Sequence, residues 1–355
     1  MQTLQNIHID KIVFGGQALA HDTESGKVLF VWNALPGEII DVQITKSKKN
    51  YQEGIATKII QASPDRLEPK EDHFLSTSPW QIISWEKELE WKKVTASEVY
   101  RDIGKFELPN DLDIVADQNH QFGYRNKMEF SFTEDDSGEI QLAFFKRGHK
   151  YKMPIDSALL AHPWLNSTAK DILSWIRQNN LTNRNLKSLI VRSNERKETL
   201  AALFIKDELF FDSYPELNET LKGFKLFYST HKSPASVPTK LIYSEGEESL
   251  TETISTPSGS KIDLSFGIFS FFQVNIPIFE SALVDMYKHL PRNKDVVDYY
   301  SGVGAIGLSL ADKIHTLTLI DSEPEAIEYA IINMEKNSIM NCQSLCSPSE
   351  KMTEF

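Results

Sequence analysis

The stretch that decides the fold is DYYSGVGAIG, residues 298–307. It contains G-x-G-x-x-G between a short apolar strand, Asp295–Tyr300, and a helix expected over Gly302–Ala311. Asp321 lies 19 residues after Gly302, at the end of the next apolar segment. Glycines permit a tight turn and close approach of a ligand to the backbone, and an acid at this spacing can bind ribose hydroxyls. The stretch therefore predicts a cofactor site with a nucleoside part.

Two cofactors fit this motif, a dinucleotide and S-adenosylmethionine. A dinucleotide places its pyrophosphate on the helix N-terminus. S-adenosylmethionine has no phosphate but carries an ammonium group, whose charge Asp298 could offset. The motif also follows about 290 residues of other structure. Both facts favour a methyltransferase over an NAD-dependent oxidoreductase, which stays open as an alternative.

The segments around the motif indicate an α/β fold over residues 261–355. We expect a second strand over Thr316–Asp321, a helix over Pro324–Asn337 and a third strand over Cys342–Cys346. Strand–turn–helix–strand–helix is the start of a doubly wound sheet.

Residues 1–66 have the pattern of a small β-barrel, because short strand candidates alternate with turn residues and show no helical period. The strand candidates are Ile7–Phe14, Val28–Trp32, Ile39–Ile44 and Gly54–Ile60.

Residues 67–260 have a mixed α/β pattern. We expect helices over Trp80–Phe106 and Ala169–Asn179, and strands over Tyr124–Phe132, Ile140–Phe145, Leu186–Arg192 and Thr199–Ile205.

The composition is that of a globular protein of two or three domains: 355 residues with 41% apolar and 25% charged side chains. The net charge of −12 argues against a nucleic-acid partner, but residues 241–355 carry −10 of it. Lys46, Lys48 and Lys49 cluster in one loop of the near-neutral remainder, where they are either solvated or contact phosphate. No secretory signal or membrane-length apolar run is present, so we expect a cytoplasmic protein. We also expect a monomer.

The order of several motifs resembles the RNA uracil-5-methyltransferase family, which methylates carbon 5 of uridine in tRNA or 23S ribosomal RNA. The matching stretches are SFFQVN (270–275), VDYYSGVG (297–304), DSEPEAI (321–327), YRNK (124–127), and FGG (14–16) with LPGE (35–38). The resemblance spans nearly the whole chain. It implies an OB-like TRAM barrel over 1–66, a central α/β RNA-binding domain over 67–260, with its helix at 80–106 available to pack on the catalytic domain, and a Rossmann-like methyltransferase domain over 261–355.

The resemblance also implies roles for individual residues. Gln273, Tyr300 and Asp321 would contact S-adenosylmethionine, with Gly302 and Gly304 shaping the turn.

Other residues would face the RNA. Phe271 lies where the family has an aromatic near the target base, although Phe271 and Phe272 could equally be core residues. Tyr124, Arg125 and Lys127 would contact RNA phosphates and bases, or else form a solvated strand end.

Two departures from the family concern cysteine. Many members hold an iron–sulfur cluster on cysteines just after the barrel, but residues 71–80 contain none, so we expect no cluster and no metal site. In the family reaction a cysteine thiolate adds to carbon 6 of the uracil and a glutamate later removes the proton from carbon 5. Neither Cys342 nor Cys346 has the family's Ser-Cys-Asn-Pro context.

Glu350 and Glu354 do not match the family glutamate either. Because the sequence ends at Phe355, we expect a truncated form with an incomplete methyltransferase domain, inactive as it stands. The alternative is a non-catalytic RNA-binding protein, and the NAD-dependent oxidoreductase is the weaker one.

Overall fold

A computed structural model describes residues 2–22, 24–108 and 112–348. Contacts divide the chain into two compact units, one of Met1–Gln118 with Ala143–Ala158 and the other of Asn119–Leu142 with Leu159–Phe355. The three-domain division stays a prediction. None of the helices in the described part of the chain combines the length and apolar content that crossing a bilayer requires.

The first unit contains a closed five-stranded barrel, which confirms the prediction for the N-terminal residues. Its strands are β1 (Thr3–Ile12), β2 (Ala18–His21), β3 (Val28–Trp32), β4 (Ile39–Ser47) and β5 (Tyr51–Gln61). They close in the order β1-β2-β3-β5-β4. Every second side chain of β4 is buried, as in Ile40, Val42 and Ile44, because successive residues of a strand point to opposite faces.

A buried ion pair fixes the chain where it leaves the barrel. Glu38 is fully buried, and its Oε1 lies 2.5 Å from Nε of Arg66. Its Oε2 accepts a hydrogen bond from the backbone N–H of Leu35 at 2.9 Å. The LPGE turn therefore supplies both a bend and an internal partner for Arg66, which satisfies the buried carboxylate.

Two helices follow the barrel, α1 (Phe74–Thr77) and α2 (Trp85–Glu98). The helix predicted over Trp80–Phe106 thus begins five residues later, where Oγ of Ser84 accepts from the N–H of Lys87 at 3.4 Å. It continues past α2 only as a π-helical turn, Val99–Ile103.

The central sheet is built largely from the second unit. Its elements are β6 (Lys127–Glu134), β7 (Ile140–Phe145), β8 (Lys152–Pro154), α3 (Pro163–Gln178), β9 (Leu186–Ser193), β10 (Thr199–Ile205), β11 (Leu221–Tyr228) and β12 (Lys240–Gly246). The strand order is β12-β11-β10-β9-β6-β7-β8, and the unit boundary falls within β7. β10 and β11 pair in parallel, and β9 runs antiparallel to both β10 and β6.

The remaining elements of the second unit follow the predicted order from residue 295 onward, whereas the two strands and the helix that precede it are not among the predicted elements. They are β13 (Ser249–Ser255), β14 (Lys261–Gly267), α4 (Ile276–His289), β15 (Asp295–Tyr299), α5 (Ala305–Ser309), β16 (Thr316–Asp321), α6 (Pro324–Lys336) and β17 (Cys342–Cys346). β15, β16 and β17 form a parallel sheet in that order, which confirms the third strand. The helix expected over Gly302–Ala311 is shorter, since the left-handed turn takes up its first three residues.

Candidate functional site

The glycine turn joins β15 to α5 through three residues with positive φ. These angles are +60° at Tyr300, +54° at Gly302 and +84° at Gly304. A Cβ on Gly304 would lie 2.8 Å from Cδ1 of Leu308, so both the backbone angle and the space require glycine there. A Cβ on Gly302 would meet only the carbonyl oxygen of Phe271, at 3.8 Å. The turn therefore lies beside the loop at residues 270–275.

Two carboxylates hold this turn. Oδ2 of Asp321 accepts from the N–H of Gly302 at 2.8 Å, and Oδ1 accepts from the N–H of Glu323 at 3.0 Å. Oδ2 of Asp298 accepts from the N–H of Gly307 at 2.9 Å. Burial raises the pKa of Asp298, the hydrogen bond from Gly307 opposes that rise, and the charge of Asp321 adds to it. The predicted acids therefore lie at the carboxyl ends of β15 and β16, where α/β sheets bind ligands.

The loop at residues 270–275 exposes one phenylalanine and buries the next. Phe271 is 74% exposed, whereas Phe272 is buried and its ring centroid lies 4.3 Å from that of Phe266. Core packing is thus the role of Phe272 but not of Phe271. The side chain of Gln273 is half-buried, and its backbone carbonyl accepts a hydrogen bond from Nδ2 of Asn126 at 2.8 Å.

Two fully buried residues hold this loop in place: Asn126, which immediately precedes β6, and Arg192 on β9. No role was predicted for either, although Asn126 lies within the YRNK stretch. Asn126 binds the carbonyl of Gln273, and Nη1 of Arg192 donates to the carbonyl of Ser270. The Arg192 guanidinium lies 4.6 Å from the ring centroid of Phe266, and burial lowers its pKa to about 9. Within the described residues, Oδ1 of Asn126 and both Nε and Nη2 of Arg192 are buried without a hydrogen-bond partner.

The other residues of the YRNK stretch have different surroundings. The N–H of Arg125 donates to the carbonyl of Leu160, and its side-chain Nε is buried with no partner in the described parts of the chain. Lys127 on β6 lies opposite Arg192 on the antiparallel strand β9. Burial first, and then the like charge of Arg192, lowers the pKa of Lys127 to about 8. A solvated strand end is therefore wrong for Lys127.

Tyr124 lines a cavity of about 460 Å³ that no sequence pattern predicts. Its wall includes Glu195, Glu252 and Glu280. Glu252 accepts from the N–H of Glu195 at 3.0 Å, and burial raises the pKa of its carboxyl to about 7. The residues that line this cavity are far apart in the sequence, so no local sequence pattern predicts it.

The lysine loop, the cysteines and the acids considered as metal ligands or catalytic groups do not form a further site in the described residues. Lys46 is exposed but its Nζ lies 2.6 Å from Oε1 of Glu53, so an acid already neutralises part of the lysine loop. Among the described residues, no group of three or more His, Cys, Asp or Glu side chains is arranged to hold a metal ion. Burial raises the pKa of Cys342 to about 12, and Cys346 is exposed. Glu350 and Glu354 lie outside the described residues.

Comparison with known proteins identifies the family. The sequence profile described as tRNA (uracil-5-)-methyltransferase matches residues 87–355, about three quarters of the chain. The chain belongs to the tRNA (uracil-5-)-methyltransferase family. A TRAM domain profile also matches residues 4–57, the region of the closed barrel.

Several relatives of this methyltransferase family align along most of the chain. An uncharacterized RNA methyltransferase of Fusobacterium nucleatum is 26% identical over 97% of this chain and 76% of its own length. One from Caldanaerobacter subterraneus is 28% identical over 92% and 74%. The structure of Pyrococcus abyssi tRNA (uracil-54, C5)-methyltransferase, solved with S-adenosyl-L-homocysteine, has a TM-score of 0.74 over 96% of this chain and 79% of that one at 19% identity. The fold is therefore that of a methyltransferase with an N-terminal barrel.

Proposed function

We propose that this protein acts in the S-adenosylmethionine-dependent methylation of carbon 5 of a uridine in tRNA or ribosomal RNA. The observation that carries the proposal is the hydrogen bond from Asn126 to the carbonyl of Gln273. It joins the expected RNA-binding stretch to the loop that lies beside the glycine turn. Family membership supports uracil in RNA as the substrate class.

The residues of the glycine turn fit an adenosyl cofactor. Each carboxylate oxygen of Asp321 accepts one backbone N–H and keeps a lone pair for a ribose hydroxyl. Oγ of Ser301 is buried without a hydrogen-bond partner in the described residues, so it is available to a ligand. Tyr300, Gly302, Gly304, Asp321 and Gln273 would hold the cofactor, which when bound supplies an electrophilic methyl group.

Three side chains would contact the RNA: the aromatic ring of Phe271 and the cationic groups of Arg125 and Lys127. Phe271 presents an exposed ring on which an unstacked base can pack, as flipped-out bases do in enzymes that modify them. Arg125 and Lys127 would bind phosphate or base atoms. Lys127 is still mostly protonated at pH 7 because its pKa is about 8, so it can bind an anion.

Neither cysteine of this sequence is, in our proposal, the nucleophile of the reaction. A thiol reacts as its thiolate, and a pKa of about 12 keeps Cys342 protonated at neutral pH. Cys346 lies at the end of β17, with its Sγ 3.7 Å from the carbonyl oxygen of Ser322. We therefore expect Cys342→Ala and Cys346→Ala to bind S-adenosylmethionine and RNA as the unchanged chain does, and to leave any transfer of tritiated methyl groups to RNA unaltered. Transfer that disappears in a Cys342→Ala or Cys346→Ala variant would contradict this.

Calorimetric titration with S-adenosylmethionine and with NAD tests the cofactor part. We expect binding of S-adenosylmethionine alone, and a loss of affinity of at least about tenfold in Asp321→Ala, since hydrogen bonds to a charged group contribute about 1.5–3 kcal/mol. Asp295→Ala is the matched control, because Asp295 lies at the opposite end of the same parallel sheet.

The alternatives predict different titrations. Binding of NAD alone would favour an oxidoreductase and overturn the proposal. RNA binding with no affinity for either cofactor would identify a non-catalytic RNA-binding protein.

A further inference from the structure

The hairpin between β7 and β8 is the most basic short stretch of the chain that the site does not use. Residues 145–152 read FKRGHKYK, with four Lys or Arg side chains, one histidine and no acid. This composition stands out in a protein of net charge −12. We call residues 145–152 the basic hairpin.

The basic hairpin is seated on the barrel within the first unit. The guanidinium of Arg147 lies 4.0 Å from the ring centroid of Trp32 on β3. Gly148 has a φ of +75°, and a Cβ there would lie 2.6 Å from Cδ1 of Ile55 and 3.0 Å from Cγ2 of Thr45. The tip of the hairpin therefore packs closely against the barrel, next to the β4–β5 loop that follows Thr45.

The aromatic residues of the hairpin lie on two opposite faces, one packed within the first unit and one exposed. Phe144 lies opposite Met153 and contacts His73, with ring centroids 5.4 Å apart. The next residue, Phe145, points the other way and is 55% exposed, and Tyr151 is 52% exposed. Two large aromatic rings are thus held at the surface on a paired backbone.

Lysines lie over these rings. Nζ of Lys146 is 5.5 Å from the ring centroid of Tyr151, and Nζ of Lys152 is 5.3 Å from that of Phe145. Cation–π contacts of this kind hold a charge next to an exposed aromatic face. Within the described residues, Lys146 and Lys150 form no ion pair with an acid, in contrast to Lys46 near the end of β4.

We propose that the basic hairpin, together with Lys48 and Lys49 of the adjacent β4–β5 loop, is a binding surface for single-stranded RNA. Lysine ammonium groups would neutralise phosphates, and Phe145 and Tyr151 would stack on unpaired bases. The identification of RNA rests on the proposed function, and the surface adds a contact outside the cofactor site.

The test uses a fluorescently labelled single-stranded RNA oligonucleotide, titrated with the full chain at several salt concentrations. We expect Lys146→Gln with Lys150→Gln to weaken binding about tenfold and to reduce the slope of log K against log salt by about 1.4, because each phosphate contact on a single strand contributes about 0.7. Tyr151→Leu should weaken binding to the single strand but not to a duplex of the same length. Lys232→Gln with Lys261→Gln is the matched control, with two exposed lysines of the second unit and the same charge change.

An unchanged affinity and slope in the hairpin variant, with an unchanged melting temperature, would overturn the proposal. So would an equal loss in the control variant, which would indicate a general charge effect. Titration with S-adenosylmethionine separates this result from the proposed function. A hairpin variant with weaker RNA binding and intact cofactor binding supports both proposals, and a wild-type chain that binds RNA but no cofactor overturns only the proposed function.

Discussion

The glycine turn and the adjacent loop at residues 270–273 lie side by side but are stabilised in different ways. The turn is held by residues close to it in sequence. The N–H of Ser301 donates a hydrogen bond to the carbonyl of Ile320 at 3.1 Å, and the N–H of Gly302 donates to the carboxylate of Asp321, 19 residues away. The loop is held from far along the chain. Asn126 is 147 residues from Gln273, and Arg192 is 78 residues from Ser270. One half of the candidate site is therefore a local motif, and the other depends on correct packing of the central sheet.

The largest effect is expected from a substitution in the glycine turn. Gly304→Ala should lower the free energy of unfolding by about 2–5 kcal/mol, because left-handed backbone costs about 1–2 kcal/mol and overlap with Leu308 adds about 1–3. Chemical denaturation measures this. Gly259→Ala is the control: its φ is +89°, similar to the +84° of Gly304, but its Cβ would meet nothing within 4 Å. Equal losses in the two variants would contradict the packing role of Gly304.

A second prediction concerns another long-range contact, between Glu252 on β13 and the N–H of Glu195. The pKa of Glu252 is raised to about 7 from its usual 4.5. The folded state therefore holds a proton that the unfolded state loses as the pH rises from 4.5 to 7, so stability falls over that window by about 3 kcal/mol.

Chemical denaturation at pH 4.5 and at pH 7.5 measures this fall, and Glu252→Gln should remove it. The exposed Glu245→Gln should retain it. A wild-type protein whose pH dependence matches that of Glu252→Gln would show that this carboxyl ionises normally.

A smaller effect is expected when the long-range hydrogen bond from Asn126 to the loop is removed. Asn126→Ala should weaken binding of S-adenosyl-L-homocysteine about tenfold, because the unsatisfied carbonyl of Gln273 lets the loop shift and about 1.4 kcal/mol of binding energy is lost. Asn194→Ala is the control. Asn194 is also fully buried, and among the described residues its side-chain amide donates to Glu198 and to the carbonyl of Thr251.

Calorimetry and thermal melting should be measured on both asparagine variants. We expect both to melt earlier, and only Asn126→Ala to lose affinity. A loss of affinity that simply follows the melting temperature in both would make Asn126 a structural residue without a positioning role.

The same contrast explains what the sequence could predict. The strand–turn–helix around residues 298–307 and the spacing to Asp321 depend on local geometry, so pattern and propensity predict them well. The position of the loop at residues 270–273 depends on Asn126 and Arg192, and Lys127 on β6 lies opposite Arg192 on another strand. Such contacts join distant parts of the chain, and no periodicity encodes them. Arg192 in particular looks like an ordinary charged residue in a strand, yet it is fully buried.

Cross-linking can show whether the YRNK stretch and the exposed Phe271 face one RNA beside the cofactor turn. The full chain is irradiated with a single-stranded RNA containing 4-thiouridine, in the presence of S-adenosyl-L-homocysteine, and the cross-linked peptides are mapped by mass spectrometry. We predict cross-links to the peptides that carry Tyr124–Lys127 and Phe271, reduced in Phe271→Ala. Cross-links confined to other parts of the second unit, with the same yield in Phe271→Ala, would show that these two stretches do not face the RNA.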